Sequence, residues 1–215
     1  MGCFSFLLPI LIILPILIFL LLLNIITISY SELGLSQGAA VALLIGTLLG
    51  SMINIPISRQ RILYESPQSI FSRIFFYMPP RVAIQTIAVN VGGAVIPVAF
   101  SIYLLFRAPL VPVLIATLGV ILITRLIARP VPGMGIVMPA FIPPLVSAGL
   151  AFLLARQHPA PVAFISGTLG TLIGADLLNW PSFKKLGSHM ISIGGAGVFD
   201  GIFLAGVLAA LLASI

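Results

Sequence analysis

A chain of 215 residues that is 60% hydrophobic and only 7% charged is not an ordinary soluble domain. Its mean hydropathy is +1.29, ten basic residues stand against four acidic ones for a formal net charge of +6, and the single cysteine excludes an internal disulfide. A segment in lipid must satisfy its backbone polar groups internally, so residues 1–215 are read as a single all-α, multi-pass membrane domain.

Crossing about 30 Å of hydrocarbon takes roughly 20 apolar residues, and seven stretches reach that length. The first, Phe4–Ile28, has no basic region before it and no small-residue cleavage pattern after it, so it is expected to stay as a membrane anchor. The second is Leu35–Ile55. Residues 57–81 then interleave Ile62, Leu63, Ile70, Phe71, Ile74, Phe75 and Phe76 with arginines and serines. This is the pattern of an amphipathic piece lying on an anionic leaflet, with an ordered loop over the helix ends as the equal alternative. The remaining stretches are Val82–Phe106, Leu110–Ala128, Met134–Ala155, Pro161–Asn179 and Ile191–Ile215.

Basic residues set the orientation. Arg59, Arg61, Arg73 and Arg81 lie between the second and third stretches, Arg125 and Arg129 follow the fourth, and Lys184 and Lys185 follow the sixth. Only Arg107 and Arg156 fall on the opposite connections. The expected topology is seven spans in the cell membrane, amino terminus in the cytoplasm and carboxyl terminus outside. The positive charge then reflects topology rather than nucleic-acid binding.

The chain also repeats itself. Gly46-Thr47-Leu48-Leu49-Gly50-Ser51 followed by Asn54-Ile55-Pro56 parallels Gly170-Thr171-Leu172-Ile173-Gly174-Ala175 followed by Asn179-Trp180-Pro181. Val91-Gly92-Gly93-Ala94 parallels Ile193-Gly194-Gly195-Ala196. The expected layout is 3+1+3: halves 4–106 and 134–215 in a parallel repeat, with 110–128 as connector. The pairs Gly46/Gly50, Gly170/Gly174 and Gly197/Gly201 also have the spacing that lets helix backbones approach closely. The run Gly194–Gly197 is denser than packing requires, which predicts an unwound stretch beside a cavity.

Asp176 and Asp200 are the two acids inside apolar stretches, and neither has a counterpart in the first half. An ionisable group at mid-membrane costs about 2.5–3.5 kcal/mol on insertion scales, which marks it as a functional candidate. In one reading the pair binds a proton or cation in a transporter of a small solute or ion, with Asn90 and Asn179 as neutral ligands; two neighbouring carboxylates do not both ionise easily. In another, Asp176 and Asp200 are the acid and base of an intramembrane aspartyl protease. In a third they are structural, with Asp176 reaching Lys184 or Lys185 and Asp200 accepting backbone N–H groups. No metal-ligand spacing, phosphate loop or nucleophile elbow is present, and no cofactor is expected. The expected partners are the bilayer, anionic lipid at 57–81, an unidentified small solute or ion, and further copies of the chain in a homo-oligomer.

The order of the two acids around a cytoplasmic connection resembles the presenilin and signal-peptide-peptidase class. The motifs depart from it: Gly197-Val198-Phe199-Asp200 replaces Gly-x-Gly-Asp, and Ala175 rather than tyrosine precedes Asp176. The stretch Gly194–Phe203, together with Gly174-Ala175-Asp176, resembles a family of uncharacterised bacterial and archaeal multi-pass membrane proteins. That resemblance implies a prokaryotic membrane location and no particular chemistry.

Overall fold

The computed structural model describes residues 33–64, 81–131, 135–186 and 190–195, together with Ile16, Leu17, Leu20, Leu23, Asn24, Thr27, Tyr30 and Ile202. Every described residue between 16 and 30 is helical. Beyond them the chain is mostly helical, with five helices and five strands among the described residues.

Helix α1 (Gln37–Gly50) starts at Ser36, whose hydroxyl accepts the amide of Ala39 and so satisfies one of the free donors of the first turn. Strands β1 (Asn54–Tyr64) and β2 (Arg81–Asn90) then pair antiparallel, from Asn54 opposite Asn90 to Tyr64 opposite Arg81. The register slips between Pro56 and Ser58, where proline has no N–H to give the ladder. A π-helical turn, Val91–Val95, leads into α2 (Ile96–Leu105). Helix α3 (Leu110–Ile127) is followed by a hairpin of β3 (Arg129–Val131) and β4 (Gly135–Val137). Helix α4 (Ile142–Leu154) and helix α5 (Pro159–Thr171) both carry proline in the first turn, where the missing N–H has no helical partner to lose. From α5 the chain passes through a π-helical turn, Leu172–Asp176, and a 3₁₀ segment, Leu177–Lys185. Strand β5 (Met190–Ile193) closes a three-stranded sheet of order β1-β2-β5, parallel to β2.

The strands correct the all-α expectation. The segment read as the third span opens as β2, and helix begins only at Val91. The segment read as an amphipathic piece is strand as far as Tyr64, with 65–80 outside the described residues. The fifth stretch holds β4 and then a helix of 13 residues, and the seventh opens as β5. The cause is common to all: Val, Ile and Thr are abundant in these runs, and an apolar run rich in β-branched residues fits a buried strand as well as a helix. Seven full spans are accordingly not supported. Among the described residues two helices are long and apolar enough to cross a membrane, Leu110–Ile127 and Pro159–Phe183, and three shorter apolar ones accompany them.

Helix α5 is central, packed against α2, α3 and α4. Its glycines explain how closely it meets α3. A Cβ on Gly170 would stand 2.6 Å from Val120 Cβ, and one on Gly174 would stand 2.6 Å from the Ile121 carbonyl and collide with Thr124 Oγ1. The Thr124 hydroxyl bridges the seam to the Gly170 carbonyl at 3.2 Å. Gly50 meets the backbone of Gly92 in the same manner, at 3.0 Å from a Cβ to the Gly92 nitrogen. Two of the three small-residue pairs thus contribute to close packing, and Gly197/Gly201 lies outside the described residues. One apolar cluster gathers Tyr30, Phe100 and Phe164; the other places Ala175, Phe183 and Ile202 against Ile87, Ile191 and Ile193 of the sheet.

Candidate functional site: a buried carboxylate and its polar layer

Asp176 ends the π-helical turn that follows α5 and is 2% exposed. Its Oδ2 accepts the backbone N–H of Gly194 at 2.6 Å. Gly194 stands just after β5 with φ +70°, a left-handed conformation open to glycine at little cost. A side chain there would also be crowded, because a Cβ would come within 2.7 Å of the Gly93 carbonyl. The unwound start expected for the glycine run is therefore present at Gly194 and Gly195, and 196–200 lies outside the described residues.

Gly93 connects the carboxylate to Asn90. The Asn90 side chain caps the first π-helical turn, its Oδ1 accepting the Gly93 amide at 2.7 Å. Its Nδ2 donates to the Ser51 carbonyl at 2.7 Å and to Asn54 Oδ1 at 3.1 Å. The Ser192 hydroxyl of β5 donates to the same Asn54 oxygen. Asn179, three residues beyond Asp176, donates to the Ala175 carbonyl at 2.7 Å and accepts from Arg125 of α3. Asp176 and Asn90 thus come together where β2 and β5 end, with Asn179 one 3₁₀ turn beyond Asp176 and bonded toward α3, and each is buried at 3% exposure or less.

Asp200 lies outside the described residues, so Asp176 is the sole carboxylate among them. No ion pair to it is present among the described side chains, and those of Lys184 and Lys185, its expected partners, lie outside them. A buried carboxylate held by one backbone N–H, with no counter-ion among the described residues, is an expensive arrangement. Several partners in this layer were not singled out from the sequence: Asn54, Ser192, Arg125, and Gln85, whose Nε2 donates to the Phe183 carbonyl at 2.9 Å. Asn54 was visible only as part of the repeat, and Ser192 becomes relevant only once β5 is placed beside β2. No group of three or more His, Cys, Asp or Glu residues among the described residues is arranged to hold a metal ion.

A small cavity adjoins this layer. It measures about 10 Å³ and is lined by Tyr30, Thr47, Gly92, Pro97, Phe100 and Phe164 among others. Phe100 and Phe164 meet edge to face there, with ring centroids 5.0 Å apart and planes at 80°, a favoured aromatic geometry.

These features define a mostly helical protein with, among the described residues, two helices of membrane-crossing length and one acid buried at a helix break. The chain belongs to the family described as "Protein of unknown function (DUF1614)", whose sequence model matches residues 48–212. The match takes in Asn90, Asp176, Asn179 and Asp200. No curated protein matches the chain, and neither does any solved structure.

Proposed function

We propose that this protein is a multi-pass membrane transporter of a small solute or ion, coupled to a proton or cation at Asp176. The observation that carries the reading is the buried Asp176 carboxylate, bonded to Gly194 where two backbone irregularities meet. Transporter sites favour such broken elements, because freed backbone groups and an intramembrane acid can share a ligand. Asn90 and Asn179 supply neutral polar atoms nearby, and Asp200 is kept as a second acid from the sequence.

The distribution of side chains on α3 supports a lipid surround. Leu110, Val111, Leu114, Leu118, Leu122 and Leu126 are between 54% and 82% exposed, while its buried face carries Val113, Ala116, Val120 and Thr124. A large exposed apolar stripe over a small-residue interior is the reverse of a soluble helix. The basic residues then place the amino terminus in the cytoplasm and the carboxyl terminus outside, with Arg59 and Arg61 toward anionic lipid. Strands β2 and β5 run side by side and each leads into a Gly-Gly step, which favours a common origin for these two short segments.

The test uses purified protein in liposomes that enclose a pH-sensitive dye, with an imposed potassium potential as the drive. Asp176→Asn keeps the shape and loses the titratable group, and it is expected to lower proton entry at least tenfold while the circular dichroism is retained. Equal proton entry in the parent and D176N overturns the reading. Cleavage of a model transmembrane peptide that disappears in D176N would instead assign the protein to aspartyl proteases.

A further inference from the structure

Buried hydroxyls on these helices fall into two groups. Thr27, Ser101, Thr124, Ser147 and Ser166 each turn back to a carbonyl three or four residues earlier, at distances from 2.7 to 3.3 Å. This is the usual way for a helical Ser or Thr to satisfy itself. Thr117 of α3 and Thr168 and Thr171 of α5 make no such bond, and the two on α5 lie deepest. Both are 0% exposed, and neither hydroxyl finds a hydrogen-bond partner among the described residues. Native proteins seldom leave a buried hydroxyl without a partner, and ordered water is the common one.

The position of these two hydroxyls gives them a role. At 100° per residue, Phe164, Thr168 and Thr171 share one face of α5, and the π-helical turn that follows ends at Asp176. At the other end Phe164 is a wall of the cavity under Tyr30. That cavity has about the room that a single water needs. The two hydroxyls, which can both donate and accept, thus stand along α5 between the end that leads to the carboxylate and the end where Phe164 borders a water-sized space. Hydroxyls of this kind can, together with ordered water, relay a proton.

We infer that Thr168 and Thr171 hold ordered water in a file that carries protons between Asp176 and the cavity at Tyr30, Thr47 and Phe164. The inference rests on the proposed role of Asp176, and its test separates the two. The full chain is placed in lipid nanodiscs with methyl-labelled threonine, and magnetisation transfer from water is measured by NMR. Transfer is expected at the Thr168 and Thr171 methyls and not at Thr124, whose hydroxyl is already bonded. In liposomes, Thr168→Val and Thr171→Val keep the side-chain volume and are expected to lower proton entry at least tenfold, with Thr→Ser at either position restoring it. No water transfer at Thr168 and Thr171, or valine variants that conduct like the parent, overturns the file. Water transfer at both positions combined with proton entry unaffected by D176N would uphold the hydration and overturn the transport reading instead.

Discussion

Asn90 makes the clearest case for a single residue organising this protein. One amide holds the amino end of the first π-helical turn through Gly93, the end of α1 through the Ser51 carbonyl, and the start of β1 through Asn54. In a buried setting each unmade bond exposes the full desolvation cost of its partner. Asn90→Ala is therefore expected to destabilise the protein by about 1–3 kcal/mol, measured as a lowered thermal midpoint in detergent; a midpoint within error of the parent would contradict this assignment. Asp176, Asn90 and Asn179 were legible in the sequence as polar residues inside apolar runs. Their placement was not, because Asp176 meets Gly194 18 residues later and Asn90 meets Ser51 39 residues earlier, and no local pattern encodes either approach.

At the scale of elements, the fourth and sixth apolar stretches read correctly. Leu110–Ile127 is a helix at its expected limits, and the sixth starts near its expected place at Pro159 but is α-helical only to Thr171, continuing as π-helical and 3₁₀ turns to Lys185; flanking prolines mark both starts. The runs at Val82 and Ile191 read wrongly, because periodicity does not separate a fully buried strand from a helix. Long-range pairing makes them strands: the Val82 run lies antiparallel to β1 and parallel to the Ile191 run, with Ile87 beside Ile191 and Val89 beside Ile193. The seam between α3 and α5 offers a sharp test of packing. Gly174→Val would drive a branched side chain into Thr124 and the Ile121 carbonyl. Such overpacking is expected to cost about 1–3 kcal/mol, seen as a lower melting temperature, whereas the same change at the uncrowded Gly149 is expected to cost less. Equal losses at the two positions would argue against the close α3–α5 contact.

For the whole molecule, the question is which solvent surrounds the apolar exterior. Leu118 lies in the middle of the exposed stripe on α3 at 60% exposure. In water, Leu118→Lys would change stability by no more than about 0.5 kcal/mol, as surface substitutions usually do. At the centre of a bilayer it costs about 2.5–3.5 kcal/mol of insertion free energy. Expression of L118K is expected to leave markedly less protein in the membrane fraction, and an unchanged membrane yield would contradict a lipid-facing α3. Composition made this environment legible, since so little charge leaves few alternatives, while the strands within the apolar body were hidden by that same uniform hydrophobicity.

The central claim is that one buried carboxylate, placed by a π-helical turn against a left-handed glycine, couples proton movement to transport. Proton entry into liposomes driven by a potassium potential, compared between the parent chain and D176N at matched protein density, tests it most directly. The account predicts at least a tenfold loss in D176N with the fold intact. Equal rates in the two proteins would contradict it.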